Sequence, residues 1–513
     1  MLRKIAVILL LIAPLYVTAQ KKDKNASKAA ATITPDDMKK HLYIIAGKEM
    51  EGRDTPSPGL EKAAGYIEEQ FKAMGLTPGN NGSYRQYYPL YRDSITGSSL
   101  KINGDAAELN KDFQPQANNY AAAMRFSEVV FAGFGIVDGD KRDDYKDLKV
   151  AGKLVLIADG IPADYKPSQQ GFASPSSAFG KMNAAMSKGA AGVLIVYTNF
   201  PRRVMNTNSN WSMNGYKATQ IPFTFTISPD MAAKIMGEDG KNIIDKLKAG
   251  SIAPKTYSAQ IEMEMTKQTR TSSAPNVIGV LEGTDLKDEY VFVTGHMDHL
   301  GKRDTVIYYG ADDDGSGTTG VIEIAEAFAK AKQQGKGPRR TMVFMTVSGE
   351  EKGLWGSGYY TSHPLFPLEK TTVDLNIDMI GRSDASRKQG DSNNYVYVVG
   401  DDKISSDLKV ISEGANKLYT NMELDYKYND PKDPNRIYFR SDHYNFAEKG
   451  VPIIFYYDGM LGADYHRPTD TPDKINYTLM AKRAQLIFYT AWEMANRNDM
   501  LKRDIKLEKP KGF

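Results

Sequence analysis

A chain of 513 residues is long for one domain, and 41% hydrophobic with 25% charged side chains is the balance of a globular protein with cores to bury. A formal net charge of +3, with no basic stripe interleaved with aromatics, argues against nucleic acid as a partner. Cysteine is absent, which excludes disulfides, thiolate metal ligands and a lipid-acceptor cysteine, so any metal must be held by nitrogen and oxygen.

Residues 1–19 read as a secretory signal peptide. Arg3 and Lys4 supply the positive end, residues 5–17 the apolar run, and Val17-Thr18-Ala19 a small-residue cleavage site before Gln20. The run is short for a membrane span, with an uncleaved N-terminal anchor as the alternative, and no later segment is apolar enough for one. The expected product is an exported protein, periplasmic or secreted, free of the membrane once the signal is removed. Residues 20–33 read as a linker, disordered over the Lys/Ala/Ser-rich stretch 21–32. Thr34-Pro35-Asp36-Asp37 starts a helix reaching about Ala46, with Thr34 as N-cap. Pro58-Gly59 opens a second helix that runs to Met74, with Ala63, Ala64, Ile67 and Phe71 on one face and Gly75 at its end.

From about residue 126 to 263 the texture changes. Short buried strands are predicted at 129–134, 154–157, 193–196 and 222–227, with helices at 182–188 and from Pro229. None of the six histidines lies here, so this stretch reads as a separate module without the chemistry. From Asn276 onward strands (277–281, 290–294, 341–347, 373–380, 452–457) alternate with helices (320–331, 406–418, 477–496), the order of an α/β layered fold. Residues 427–436 read as a polar surface loop.

The chemistry is concentrated at strand ends. A strand delivers His296, and Asp298, two residues on, can share its face and fix the imidazole's tautomer; a surface histidine with a helix-capping aspartate is the alternative. Asp312-Asp313-Asp314 lie between glycines, and three contiguous carboxylates repel one another unless a cation compensates. A solvated loop with an N-capping acid would need none, and a calcium loop would space its acids alternately. Glu350 and Glu351 follow a strand, where one can hold a metal while the other moves protons; an isolated pair can also be a solvated turn. Asp378 sits in an apolar strand end, where an acid needs a partner, with Asp374 as its competitor. His466 lies in a polar loop before the last helix. His299 and His443 are secondary candidates, while His41 and His363 read as structural or exposed.

Taken in order, His296-x-Asp298, Gly-Ala-Asp-Asp-Asp-Gly-Ser-Gly from Gly310, Glu350-Glu351-x-Gly353-Leu354, Asp378-Met-Ile-Gly and Tyr465-His466 resemble the M28 family of co-catalytic zinc peptidases, the aminopeptidase group. Glu51-Gly52-Arg53 with the helix that follows resembles the family's N-terminal part, so the likeness covers about 34–115 and 265–500. It implies a three-layer α/β domain, a central mixed β-sheet flanked by helices. It implies two Zn²⁺ per chain, one held by His296 and Asp378, the other by Glu351 and His466, with Asp313 bridging both. Glu350 would be general base and acid, Tyr465 would donate to the developing oxyanion, and the Asp313–Asp314 peptide would be cis. Arg440-Ser441-Asp442 resembles a segment near the substrate's N-terminus. The implied activity is hydrolysis of N-terminal residues from peptides with a free N-terminus, through a water activated by two zinc ions.

The middle stretch resembles a protease-associated (PA) domain through Phe131-Ala-Gly-Phe-Gly-Ile, the segment from Tyr145 to Ile157, and Lys188-Gly-Ala-Ala-Gly-Val-Leu-Ile. The expected division is catalytic residues 34–120, a β-rich PA-like insert at 121–264, and catalytic residues 265–513. A carboxypeptidase of the same superfamily would need clustered arginines, and only Arg382, Arg436 and Arg440 stand as scattered candidates. A glutaminyl cyclase would work with one zinc, and a receptor-like relative would have lost ligand positions that are filled here. Residues 455–460 and the 427–436 loop are expected to wall the substrate pocket.

Overall fold

The computed structural model describes residues 22–171, 173–216, 221–430 and 432–508. The expected signal at 1–19 lies outside them. They divide into two compact units, Pro89–Ser272 and the flanking residues up to Tyr88 and from Ser273. No helix among the described residues is long and apolar enough to cross a membrane.

In the unit formed by the flanking residues, four strands are buried along their whole length: Arg340–Val347, Thr371–Ile377, Tyr395–Val399 and Ile453–Tyr457. Leu286–His296 joins them in burial from Val291 onward. Continuous burial means that both faces are covered. The strand order is Glu423–Asp425, Tyr395–Val399, Ile453–Tyr457, Thr371–Ile377, Leu286–His296, Arg340–Val347 and residues 277–281 of Lys255–Leu281. Leu286–His296 runs parallel to both its neighbours, and the last-but-one and last strands pair antiparallel, so the sheet is mixed. Alternation along Arg340–Val347 sends Val343 and Met345 to one face, where Tyr360 and Phe446 cover them from the helices Trp355–Ser362 and His443–Glu448. Phe344 points the other way and meets Phe328 of Gly317–Gln333, which also stacks on Trp492 and lies tilted against Phe488 of Tyr477–Asn496. Helix, sheet and helix form three layers, as expected.

Two expectations are corrected here. The stretch 21–32 is not a disordered linker over its described part. Lys24–Ala30 is a helix, with the Asp23 side chain accepting from the Asn25 amide at 2.7 Å. Ala26, Ala29 and Ala30 are buried, and the Trp492 indole donates to Asp23 at 3.0 Å. Small apolar residues let this helix dock closely, which composition alone did not reveal. Residues 427–436 are also not loop throughout. Lys427–Asn429 is a short 3-10 turn with Tyr428 and Asn429 buried.

The unit Pro89–Ser272 is wider than the 121–264 expected for the insert. Parallel strands Leu154–Ala158, Gly192–Val196 and Phe223–Ile227 are flanked by Ala122–Phe131 on one side and Phe113–Pro115 on the other. The boundary moves because Leu100, Ile102 and Phe113 are buried in the same core as Phe131 and Phe225.

A buried acid offers a test of the catalytic unit's packing. Glu323 lies inside Gly317–Gln333 with His41 Nε2 3.4 Å from one oxygen, while His41 Nδ1 and the Tyr66 hydroxyl are 2.7 Å apart. Burial, then the neighbouring Glu326 and Asp37, push its carboxyl up to about 8. Burial, then Lys40, push His41 down, so the pair is neutral rather than ionic. The unfolded chain therefore loses the Glu323 proton first as pH rises, and this carboxyl's contribution to stability falls between about pH 4.5 and 8. Glu323→Gln is expected to flatten that fall and to be more stable than the parent at pH 8 by on the order of 1–3 kcal/mol. Thermal melts of both proteins at pH 5 and pH 8 check it.

Candidate active site

The parallel strands end at a common edge. His296 is the last residue of its strand, opposite Val347, and Thr294 lies opposite Asn376. The chain therefore presents His296, Glu350 beyond Val347, and Asp378 beyond Ile377 at one place, the usual position for a site in such sheets.

His296 is buried, and its Nε2 lies 3.3 Å from Asp313 Oδ1, 3.6 Å from Asp378 Oδ1 and 3.9 Å from Glu350 Oε2. Its Nδ1 lies 3.1 Å from the Asp298 carbonyl and 3.7 Å from that residue's carboxylate. Asp298 is itself held, accepting from Thr55 Oγ1 at 3.0 Å and from the Glu350 amide at 3.2 Å. Asp298 thus links the His296 ring to the start of the glutamate turn.

The acid triplet is divided by role. Asp314 accepts from the amides of Gly317 (2.8 Å), Met379 (3.0 Å) and His296 (3.1 Å). Asp312 accepts from the Gly381 amide at 2.8 Å and from Ser316 Oγ at 3.1 Å. Asp470 accepts from the amides of Asp312 and Asp313. Two of the three carboxylates are therefore anchors for the backbone, and only Asp313 is turned to the imidazoles. Its Oδ2 lies 3.1 Å from His466 Nε2, opposite in role to the Oδ1 facing His296. The Asp313–Asp314 peptide is cis.

Glu351 Oε2 lies 3.1 Å from His466 Nε2, and its Oε1 lies 2.7 Å from His299 Nδ1. The Tyr465 ring stacks on His466 at 3.9 Å between centroids, and its hydroxyl accepts from Arg440 at 2.9 Å. Met379, Ile437, Phe455, Tyr457 and Leu461 form the apolar wall of the adjoining pocket, with Arg440 beside them. Phe455 and Tyr457 come from the segment expected to supply the wall. None of the described residues of 427–436 lines it, and Ile437, immediately beyond, takes that place.

The charges explain what the cluster can hold. Burial works against the charge on His296, yet Glu350 and Asp378 hold it well above the usual imidazole range. Burial likewise opposes His466, but Asp313 and Glu351 push it up to about 10. Burial would raise Asp313, and His296 and His466 outweigh it, so its carboxyl is held well below the usual range. Glu350 goes the other way: burial, with Asp378 and Glu351 against the opposing His296, pushes it well up. Acids and imidazoles here stabilise one another through opposite charge when the imidazoles are protonated. His296 Nε2, both His299 ring nitrogens, Asp313 Oδ2 and Glu351 Oε1 are buried without a hydrogen-bond partner. His296, Glu350 and Asp378 form one group of possible metal donors, and His299, Asp313 and Glu351 another, each with its atoms within 4.8 Å. Orphaned buried donors of this kind, all N and O, fit zinc.

Every residue singled out for chemistry in the sequence lies at this edge: His296, Asp298, Asp313, Glu350, Glu351, Asp378, Tyr465 and His466. Asp374, the competitor of Asp378, instead accepts from Thr294 Oγ1 inside the sheet. His443 is buried, pushed down to about 3, and stacked on Phe455. His299, a secondary candidate from the sequence, stands within the cluster beside Glu351 and Asp313. Arg53 was matched only as part of a motif. It is fully buried and donates to the carbonyls of Met297, Ile45, Tyr309 and Gly310.

Comparison with known proteins adds the following. Residues 276–491 match the model of peptidase family M28. Leucine aminopeptidase 2 of Trichophyton rubrum is 24% identical over 498 residues, 90% of this chain and 86% of its own length. A probable leucine aminopeptidase 2 of Aspergillus oryzae is 26% identical over 407 residues, 77% of this chain and 67% of its own. Among solved structures, an aminopeptidase from Aneurinibacillus sp. strain AM-1 aligns with a TM-score of 0.54 at 20% identity, covering 94% of this chain and 99% of that one. A zinc aminopeptidase from Bacillus subtilis aligns with a TM-score of 0.51 at 19% identity, covering 92% and 99%. At these identities the structural likeness speaks for the fold.

Proposed function

We propose that the protein, whose residues 276–491 match the model of peptidase family M28, is an exported zinc-dependent aminopeptidase holding two zinc ions per chain. His296 and Asp378 would hold one ion, Glu351 and His466 the other, and Asp313 would serve both. The observation that carries this reading is Asp313 itself, one carboxylate with an imidazole Nε2 at 3.3 Å from one oxygen and another at 3.1 Å from the other.

Zinc, when bound, supplies Lewis acidity toward the scissile carbonyl and toward water. The protein's residues do the rest. Glu350 reaches into the pocket beside Asp378 and takes a proton from the attacking water, whose oxygen bonds to the carbonyl carbon. As the C–N bond breaks, Glu350 returns that proton to the leaving amine. The Tyr465 hydroxyl, oriented by Arg440, donates to the oxygen on which negative charge develops. Asp298 keeps the His296 ring in place through both proton transfers. The apolar wall supports an uncharged, apolar N-terminal side chain, in keeping with relatives named leucine aminopeptidases. The carboxypeptidase alternative loses support, because Arg382 is paired with Asp464 at 3.0 Å and the pocket is lined by Arg440 alone of the three arginines. The protease-associated reading of the inserted unit, now Pro89–Ser272, and the export signal at 1–19 remain part of this proposal.

The test is hydrolysis of one short peptide in free, N-acetylated and C-amidated forms, with zinc and with chelator. Cleavage of the free and amidated forms, abolished by acetylation and by chelator, is the expected result. Cleavage that survives acetylation and fails on amidation would make the protein a carboxypeptidase.

A further inference from the structure

Five of the six histidines are told apart by the ordinary hydrogen-bond partners that their ring nitrogens meet. His41 faces the Tyr66 hydroxyl at 2.7 Å, His363 the Tyr359 carbonyl at 3.2 Å, and His443 the Tyr438 carbonyl at 2.8 Å. Each of these has an ordinary hydrogen-bond partner. His296 has one on Nδ1, which leaves Nε2 for the carboxylates. His299 has none on either nitrogen, although it is fully buried. A buried imidazole left without partners is costly, and such groups call for a ligand or an ion.

What surrounds His299 narrows the choice. Its Nδ1 lies 2.7 Å from Glu351 Oε1 and 3.9 Å from Asp313 Oδ2, the same two carboxylates that His466 Nε2 approaches at 3.1 Å each. The 2.7 Å separation is short, but the atoms do not meet a hydrogen bond's alignment, and both count among the unpartnered buried atoms. Two electronegative atoms brought this close without a shared proton in line are placed as donors to one cation. The His299 and His466 rings stand edge to face, 5.9 Å apart and inclined at 70°, flanking that pair of acids. The ring is also held in position. The His299 amide donates to the Arg53 carbonyl at 3.2 Å, and the ring packs on Gly310, where an added Cβ would come within 2.4 Å of His299 Cγ. Gly310 has φ +56°, so glycine suits both the turn and the close approach.

We infer that His299 is a further donor to the metal position formed by Asp313, Glu351 and His466, giving that position two imidazoles where the other has one. This rests on the two-zinc reading above. A second neutral imidazole adds affinity without adding negative charge, and it makes the two positions chemically unequal.

Metal titration of the whole, zinc-free protein tests it, with zinc against a competing chelator and with Co²⁺, whose visible absorption reports coordination number, as the spectroscopic probe. The parent chain is expected to bind two ions. His299→Leu and His299→Asn are both expected to bind one ion as the parent does. The other should be weakened by more than the roughly 10–100-fold that loss of an outer hydrogen-bonding partner costs, with the cobalt spectrum of that position altered. His299→Asn keeps a polar group near the Nδ1 position and guards against misfolding of the leucine variant. If His299→Asn holds both ions with parental affinity and spectrum, His299 is a hydrogen-bonding neighbour of Glu351 and the inference is wrong. A parent chain that binds fewer than two ions would instead remove the two-zinc reading, and the inference with it.

Discussion

Glu350→Gln is expected to lower kcat by at least ~10²–10⁴-fold while leaving KM and zinc content near those of the parent. The glutamine keeps the size of the side chain and its place in the pocket but cannot take a proton from water. Glu350 is one of three acids lining that pocket, and its backbone amide is fixed by Asp298 at 3.2 Å. In the proposed arrangement Asp313 and Asp378 are occupied by metal, so no other carboxylate in the pocket is free to carry the proton. The neutral side chain also removes a negative charge 3.9 Å from His296 Nε2, which is why zinc content is measured alongside turnover. A variant that retains full turnover would show that the proton moves by another route.

Arg53→Met is expected to cost ~3–5 kcal/mol of folding stability, the range for removing one side of a buried charged network. Arg53 is fully buried, and its guanidinium donates to four carbonyls on three segments: Ile45 at the end of a helix, Met297 between His296 and Asp298, and Tyr309 and Gly310 just ahead of the acid triplet. Methionine fills the space but takes the side-chain donor from all four carbonyls, of which that of Gly310 keeps a backbone partner, the Gly315 amide at 3.1 Å. Arg53→Lys is expected to fall between the two, because an ammonium has three donors and lacks the planar fork that spans these carbonyls. Denaturant midpoints of the three proteins measure the difference. A methionine variant within about 1 kcal/mol of the parent would mean that water replaces the guanidinium.

Much of the site was legible because its residues break the apolar pattern of the strands they terminate. His296 follows five buried positions, and Asp378 follows a strand buried throughout, so each polar residue stands out against what precedes it. The acid triplet was half legible. Three carboxylates in a row do need compensation, but Asp312 and Asp314 receive it from backbone amides, and only Asp313 is left to face the imidazoles. That difference depends on amides at Met379 and Gly381, which the chain reaches only after two further strands. His299 was harder to rank for the same reason. Nothing near it in sequence says that Glu351 will lie 2.7 Å away. The Lys24–Ala30 helix was hidden by composition, since its burial is decided by Trp492 and the helix that carries it, at the far end of the chain. The boundary at Pro89 was missed because Arg85–Ile102 alternates buried and exposed positions, a pattern that reads weakly beside the all-apolar runs of the inserted unit.

The pairing of His296 with Val347 and of Thr294 with Asn376 carries a consequence for how this protein can change over generations. The reactive groups have no scaffold of their own; they are the terminal positions of structural strands. One residue gained or lost inside any of these strands would shift its end by about 3.3 Å and turn the next side chain to the opposite face. Deletions and insertions should therefore accumulate in the connections and stop abruptly at the strands. Within them, a lineage can exchange valine for isoleucine freely but cannot alter the count.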